Sequence, residues 1–156
     1  MPHLPSRRPS PTLLALVLAA GLAACAAPSA PPPTLYDRLG GAARVTDVVS
    51  RTVDRAASDP RTRRTYEGVR LSGLKDAIAG QICAISGGGC LYKGERMREA
   101  HSGLNIAASE FDALVTMLRE ELDRAGVDDG AKNDLLRLLA PMKRDIVAAA
   151  GVASHA

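Results

Sequence analysis

Few residues in this chain have types and spacing that could do chemistry. It holds three histidines, His3, His101 and His155, and only His101 lies away from the ends. A hydrolytic triad needs a Ser or Cys beside a His with an orienting acid, and nothing near His101 picks out such a set. A single neutral imidazole is nonetheless enough to hold a haem iron from one side. Met97, Leu104 and Ile106 would supply apolar cover around it. The alternative is a polar residue simply packed on a helix. The other reactive groups are Cys25, Cys83 and Cys90. Cys83 and Cys90 flank Gly87-Gly88-Gly89, a turn that can bring the chain back on itself. In an oxidising compartment they suit a disulfide tying the end of one helix to the next loop. Two separate buried thiols are the alternative. Two cysteines with no nearby His or third Cys cannot close a tetrahedral metal shell.

Cys25 has a different setting. Arg7 and Arg8 precede the apolar run Leu13 to Leu22, and Leu22-Ala23-Ala24-Cys25 follows. A basic start, a short apolar stretch and small residues read as a secretory signal. The run is too short for a comfortable membrane span. Leu-Ala-Ala-Cys resembles the bacterial lipobox, which implies cleavage after residue 24 and a lipid on Cys25. Residues 25–33, rich in Pro and Ala, then form an extended tether that cannot pack a core. A domain over 34–150 and a tail over 151–156 complete the expected organisation. The destination is the cell envelope, facing the periplasm; Ala26, not an acidic residue, favours the outer membrane.

The 156 residues carry a net charge of +3. Without residues 1–24, 18 basic residues face 17 acidic ones, so the basic character belongs to the export signal. At 46% hydrophobic and 24% charged, the chain has the composition of a folded domain. Aromatics make up 3%, too few for the ring platforms of a nucleic-acid-binding sheet. No nucleic-acid partner is expected.

What must position His101 is helical. Val45, Val48, Val49, Thr52 and Val53 mark one face of a helix over roughly 42–57. Asp59-Pro60 reads as an N-cap followed by Pro at the first helical position. Leu71, Leu74, Ile78, Ile82 and Ile85 recur every three or four residues until the glycines stop them. Phe111, Leu114, Val115, Leu118 and Leu122 form a third stripe, ending near Gly126. Asp128 can cap a last helix, and Pro141 should kink or break it. No segment alternates with period two, so the domain is expected to be all-α.

Several motifs carry a resemblance. They are Leu35-Tyr36-Asp37-Arg38-Leu39-Gly40-Gly41, Asp59-Pro60-Arg61, Gly87-Gly88 before Tyr92-Lys93-Gly94, and Met97-Arg98-Glu99-Ala100-His101-Ser102-Gly103-Leu104-Asn105-Ile106. Phe111 follows His101 by ten residues, and Leu139-Ala140-Pro141-Met142 lies in the closing helix. In this order and spacing, Thr34 to about Val147 resembles the group 1 truncated haemoglobins, a shortened globin of two helices packed over two. The resemblance implies haem b as cofactor and His101 as its iron ligand. It puts Tyr66 where the family has a Phe on the haem face, and Leu74 and Ile78 on the distal helix. Val53 falls where many members have Tyr, and Met97 and Leu104 on the proximal side. Lys75 and Tyr92 fall where members often reach the haem propionates. Many members use Tyr at the Val53 position and Gln at the Ile78 position to hydrogen-bond oxygen, and both are apolar here. Tyr66, or Gln81 after a modest rotation, is left as the candidate donor, and an apolar pocket suits NO or CO. The implied function is binding or transport of a diatomic gas. Any dioxygenase or peroxidase turnover would need an external electron donor, since no flavin or nicotinamide motif is present. A cofactor-free helical lipoprotein acting as an interaction module, or a haem-based sensor or haem carrier, are the competing expectations.

Overall fold

The computed structural model describes residues 30–151. The expected signal, Cys25, most of the tether, and the last residues including His155 lie outside the described residues. The chain divides into two units, Met1–Pro32 and Pro33–Ala156, and the second carries every described helix.

That unit is all-helical. The helices are α1 (Leu35–Arg38), α2 (Gly41–Ser58), α3 (Leu71–Ile85), α4 (Met97–Ala100), α5 (Ala108–Arg124), α6 (Asp129–Leu139) and α7 (Met142–Gly151). A 3-10 turn, Arg63–Tyr66, stands between α2 and α3. The described residues contain no strand, and no helix among them is long and apolar enough to cross a membrane.

Local chemistry accounts for these boundaries. The Thr34 hydroxyl accepts from the Asp37 amide at 3.1 Å, and the Asp37 carboxylate accepts from the Thr34 amide at 2.9 Å. This reciprocal cap starts α1. Gly40, at φ +94°, turns the chain into α2, a backbone region that L side chains rarely adopt. The Asp128 side chain accepts from the Ala131 amide at 2.8 Å and starts α6. The periodicity expected to end at Pro141 is indeed divided there into α6 and α7.

The Asp59-Pro60 expectation needs correction. Asp59 ends α2 and no α-helix starts at Pro60. Its carboxylate accepts from the Arg61 amide at 2.8 Å and from the Arg61 guanidinium at 2.8–3.0 Å. An Asx turn therefore takes the place of a helix cap, and only the 3-10 turn follows.

The core is built on one face of α2. Val45, Val48, Val49 and Val53 are buried there with Leu39, Ile82, Leu122, Val127, Ala131 and Leu135. Burial of each such side chain contributes about 1.5–3 kcal/mol. Helix α2 packs against α3 and α5, and α7 packs against α4 and α5. Glu121 is the most deeply buried charge among the described residues. It is 1% exposed and accepts from Arg55 at 2.7 Å, from Arg51 at 3.1 Å and from Arg124. Burial alone would raise its carboxyl pKa, but the three guanidinium groups hold it below the usual carboxylate range.

Cys83 and Cys90 are joined as a disulfide, with Cα atoms 5.7 Å apart. It ties the end of α3 to the loop leading to α4. Gly88 lies against it, and a Cβ there would come within 2.6 Å of the Cys83 sulfur and the Tyr36 ring.

Candidate functional site

His101 ends α4 and is half-buried. Its Nδ1 is 2.8 Å from the carbonyl oxygen of Met97, one helical turn earlier. A carbonyl can only accept, so Nδ1 carries the proton in this contact. In a neutral imidazole that leaves Nε2 with a free lone pair, the state a metal ligand needs. The short helix is anchored from outside by Arg98, which donates to Asp145 of α7 at 2.8 Å. The His101 ring is thus oriented through Nδ1, and its Nε2 makes no hydrogen bond among the described residues.

The wall across from α4 is expected on α3. Leu71, Leu74, Ile78, Ala79 and Ile85 pack on the core only in part, and Ile82 and Cys83 alone are fully buried on this helix. α3 and α4 do not pack closely on one another among the described residues. Five large apolar side chains are exposed among these residues. Four of them, Val69, Leu91, Tyr92 and Leu104, lie in the segments that flank α3 and α4. Exposed apolar side chains are therefore concentrated, along the chain, in the segments on either side of the helix that leads to His101.

The remaining site candidates are distributed as follows. Met97 is half-buried and supplies the carbonyl that orients His101. Leu104 is 44% exposed, three residues beyond it. Val53 is 1% exposed, inside the core beneath Tyr66, Leu74 and Ile78, which pack against that cluster. Tyr66 closes the 3-10 turn. Burial, together with the nearby Glu110 carboxylate, pushes its phenol pKa up to about 12, so it is a proton donor at every physiological pH. Lys75 is paired with Asp54 of α2 at 2.7 Å. The Tyr92 hydroxyl donates to the Glu95 carbonyl at 3.1 Å, anchoring its own loop. The Gln81 amide lies 3.3 Å from the Met142 sulfur of α7, so it is engaged away from Ile78.

Sequence reasoning passed over Arg64 and Glu110. Arg64 donates to the Asn105 carbonyl at 2.7 Å and to Glu110. Glu110 is buried and also accepts from the Ala107 amide at 2.7 Å. Their separation in sequence, 46 positions, hid the pairing; the only local sign was an acid in the first turn of α5.

A short all-α domain that holds its one interior histidine, half-buried, at the end of a short helix fits a globin. Residues 34–148 match the bacterial-like globin family, and the chain belongs to it. It is 26% identical to a group 1 truncated haemoglobin of Tetrahymena pyriformis over 74% of this chain and 96% of that one. It is 28% identical to a group 1 truncated haemoglobin of Mycolicibacterium paratuberculosis, over 75% of this chain and 86% of the other. The crystal structure of the Tetrahymena pyriformis protein in its Fe(III) form superposes with a TM-score of 0.70 at 25% identity, covering 74% and 98% of the two chains. The two-over-two globin fold is shared with these structures.

Proposed function

We propose that this globin binds haem b through His101 Nε2 and takes up a diatomic gas at the open side of the iron. The observation that carries the reading is the 2.8 Å contact between His101 Nδ1 and the Met97 carbonyl, which fixes the ligating tautomer. Haem held there would supply an iron with one position free for oxygen, NO or CO. The residues of the chain do the rest. Leu74 and Ile78 exclude water from the gas side. Met97 and Leu104 cover the histidine side. Val53, deep in the core, backs Tyr66 and offers no donor. The Tyr66 phenol, protonated up to about pH 12, is the favoured donor toward a gas ligand, since Gln81 is held by Met142. Lys75 and Tyr92 reach the propionates only by leaving Asp54 and the Glu95 carbonyl.

Haemin titration of the full chain tests this. One equivalent should give a sharp Soret band, and His101→Ala should shift it and abolish the CO-bound spectrum of wild type. An unchanged Soret band and CO spectrum in His101→Ala would refute the axial role. We further propose that the protein is exported and anchored by lipid at Cys25, supported by the order of basic, apolar and lipobox residues before it. Radiolabelled palmitate should mark wild type and not Cys25→Ser. Catalytic turnover would draw electrons from an external reductase in the same compartment.

A further inference from the structure

We propose that Arg64 and Glu110 act as a strap that positions the segment following His101 against the turn carrying Tyr66. This rests on the haem reading above for its consequence, though not for its existence. Arg64 lies on the 3-10 turn, two residues before Tyr66. One nitrogen of its guanidinium donates both to the Asn105 carbonyl, at 2.7 Å, and to the Glu110 carboxylate. The same carboxylate oxygen accepts from the Ala107 amide at 2.7 Å. Residues 102–107 thus receive two ties from outside their own loop, at Asn105 and Ala107. Their other backbone bonds are local: Ser102 to the Glu99 carbonyl at 3.2 Å, Leu104 to the His101 carbonyl at 3.3 Å, and the Glu110 and Phe111 amides to the Ala107 carbonyl at 3.1 Å. Asn105 also adopts φ +50°, the one positive φ outside glycine among the described residues. Asn tolerates that conformation better than most residues, but it is sparsely populated and persists where the surroundings hold it.

The geometry therefore links the two sides of the proposed haem site through one side chain. The turn with Tyr66 is on one end of the strap, and the loop with Leu104 and Ile106 on the other. Glu110 is 7% exposed, so its charge is expensive to leave unpaired, and Arg64 is the cation that meets it. Arg64 itself is about half exposed, so it can be replaced without opening the core. These two are positioning residues, since neither is argued to touch haem or gas.

The test uses the full chain with three substitutions. Arg64→Ala removes both donations. Arg64→Lys keeps a charge for Glu110 but replaces the fork that serves both acceptors. Arg63→Ala, at an exposed neighbour in no ion pair among the described residues, is the control. In haem-loaded protein, transfer of haemin to excess acceptor apomyoglobin should be about fivefold faster in Arg64→Ala, the size expected for one partly exposed charge-assisted bond. Arg64→Lys should fall between it and wild type. The iron–histidine stretching band of the ferrous protein should shift or broaden in Arg64→Ala and stay in place in Arg63→Ala. Amide hydrogen exchange at Ala107, read without haem, should be accelerated in Arg64→Ala and in Glu110→Gln. Exchange, transfer rate and band all matching wild type in Arg64→Ala would overturn the strap. Should the chain take up no haem, the exchange result alone decides it, while the haem reading fails separately on the missing Soret band.

Discussion

The Cys83–Cys90 bridge gives a prediction whose size follows from its placement. The two cysteines are seven positions apart, so the bridge closes a short loop. Chain-entropy accounting for such a loop gives a stabilisation of about 2.4 kcal/mol, most of it from restricting the unfolded chain. For a domain of this length, each kcal/mol moves the melting temperature by roughly 4 °C, so the bridge should contribute about 8–10 °C. Native geometry should survive its loss. The Gly88 amide donates to the Cys83 carbonyl at 2.8 Å, and the Tyr36 amide to the Ser86 carbonyl at 2.9 Å, and neither needs the sulfur link. Cys90 is exposed, so Cys90→Ser leaves no cavity, and the remaining Cys83 thiol stays buried as a small apolar group. Thermal unfolding followed by circular dichroism is the assay. Wild type should lose about 8–10 °C on reduction, Cys90→Ser should melt where reduced wild type does, and reductant should not move Cys90→Ser further. A Cys90→Ser protein melting within about 2 °C of oxidised wild type would refute the reasoning. It would mean that the glycine turn is already closed in the unfolded chain.

Three further outcomes are expected. Tyr66 favours its protonated form when folded, with a pKa of about 12 against the ordinary 10. The unfolded chain then loses this proton first, so stability should be level below pH 10 and fall as pH rises from 10 toward 12, by roughly 1 kcal/mol per unit; denaturant titrations of Tyr66→Phe should lack that slope. Glu121→Gln strips the charge shared by Arg51, Arg55 and Arg124 and should destabilise by roughly 2–3 kcal/mol in urea unfolding at pH 7. Because the folded Glu121 carboxyl is held low, its contribution is full above the ordinary Glu range and is lost on acidification, so wild type and variant should converge at low pH. Lys75→Met breaks the pair with Asp54, should cost under about 1 kcal/mol, and should leave the haem-transfer rate unchanged; a severalfold increase would mean that Lys75 holds a propionate.

The long helices were legible because each writes its apolar face into the sequence at the helical period, whereas the four-residue helices α1 and α4 bury no residue and left no such stripe. Val45 to Val53 and Leu71 to Ile85 need no partner to be recognised. Asp59-Pro60 misled because the same two residues open a helix or an Asx turn, and Arg61, with both amide and guanidinium on the Asp59 carboxylate, selects the turn. His101 was legible as the one interior histidine, but its tautomer depends on a backbone carbonyl, which no side-chain pattern encodes. Nothing in the sequence singled out Glu121 and Glu110 on α5. They are buried because arginines 70 and 46 positions away fold over them, and pairing at that range leaves no local trace.

The helix that best separates this domain from a self-sufficient bundle is α3. It repeats large apolar residues at Leu71, Leu74, Ile78, Ile82 and Ile85, one more than α2 has valines. In α2 that face is fully buried; in α3 only Ile82 and Cys83 are. A helix lying on a core needs one apolar stripe, and α2 supplies the surface for it. Val69, Tyr92 and Leu104, in the segments that flank α3 and α4, are exposed as well. Leu71, Leu74, Ile78 and Ile85 of α3 pack on the core with part of their surface and leave the rest uncovered. The uncovered part of α3 is accounted for if, as proposed above, a flat apolar group bound by His101 completes the core there. On that view haem would be a packing element of this globin as well as its reactive centre, and loading it should raise the melting temperature by mass action, in proportion to the logarithm of free haem.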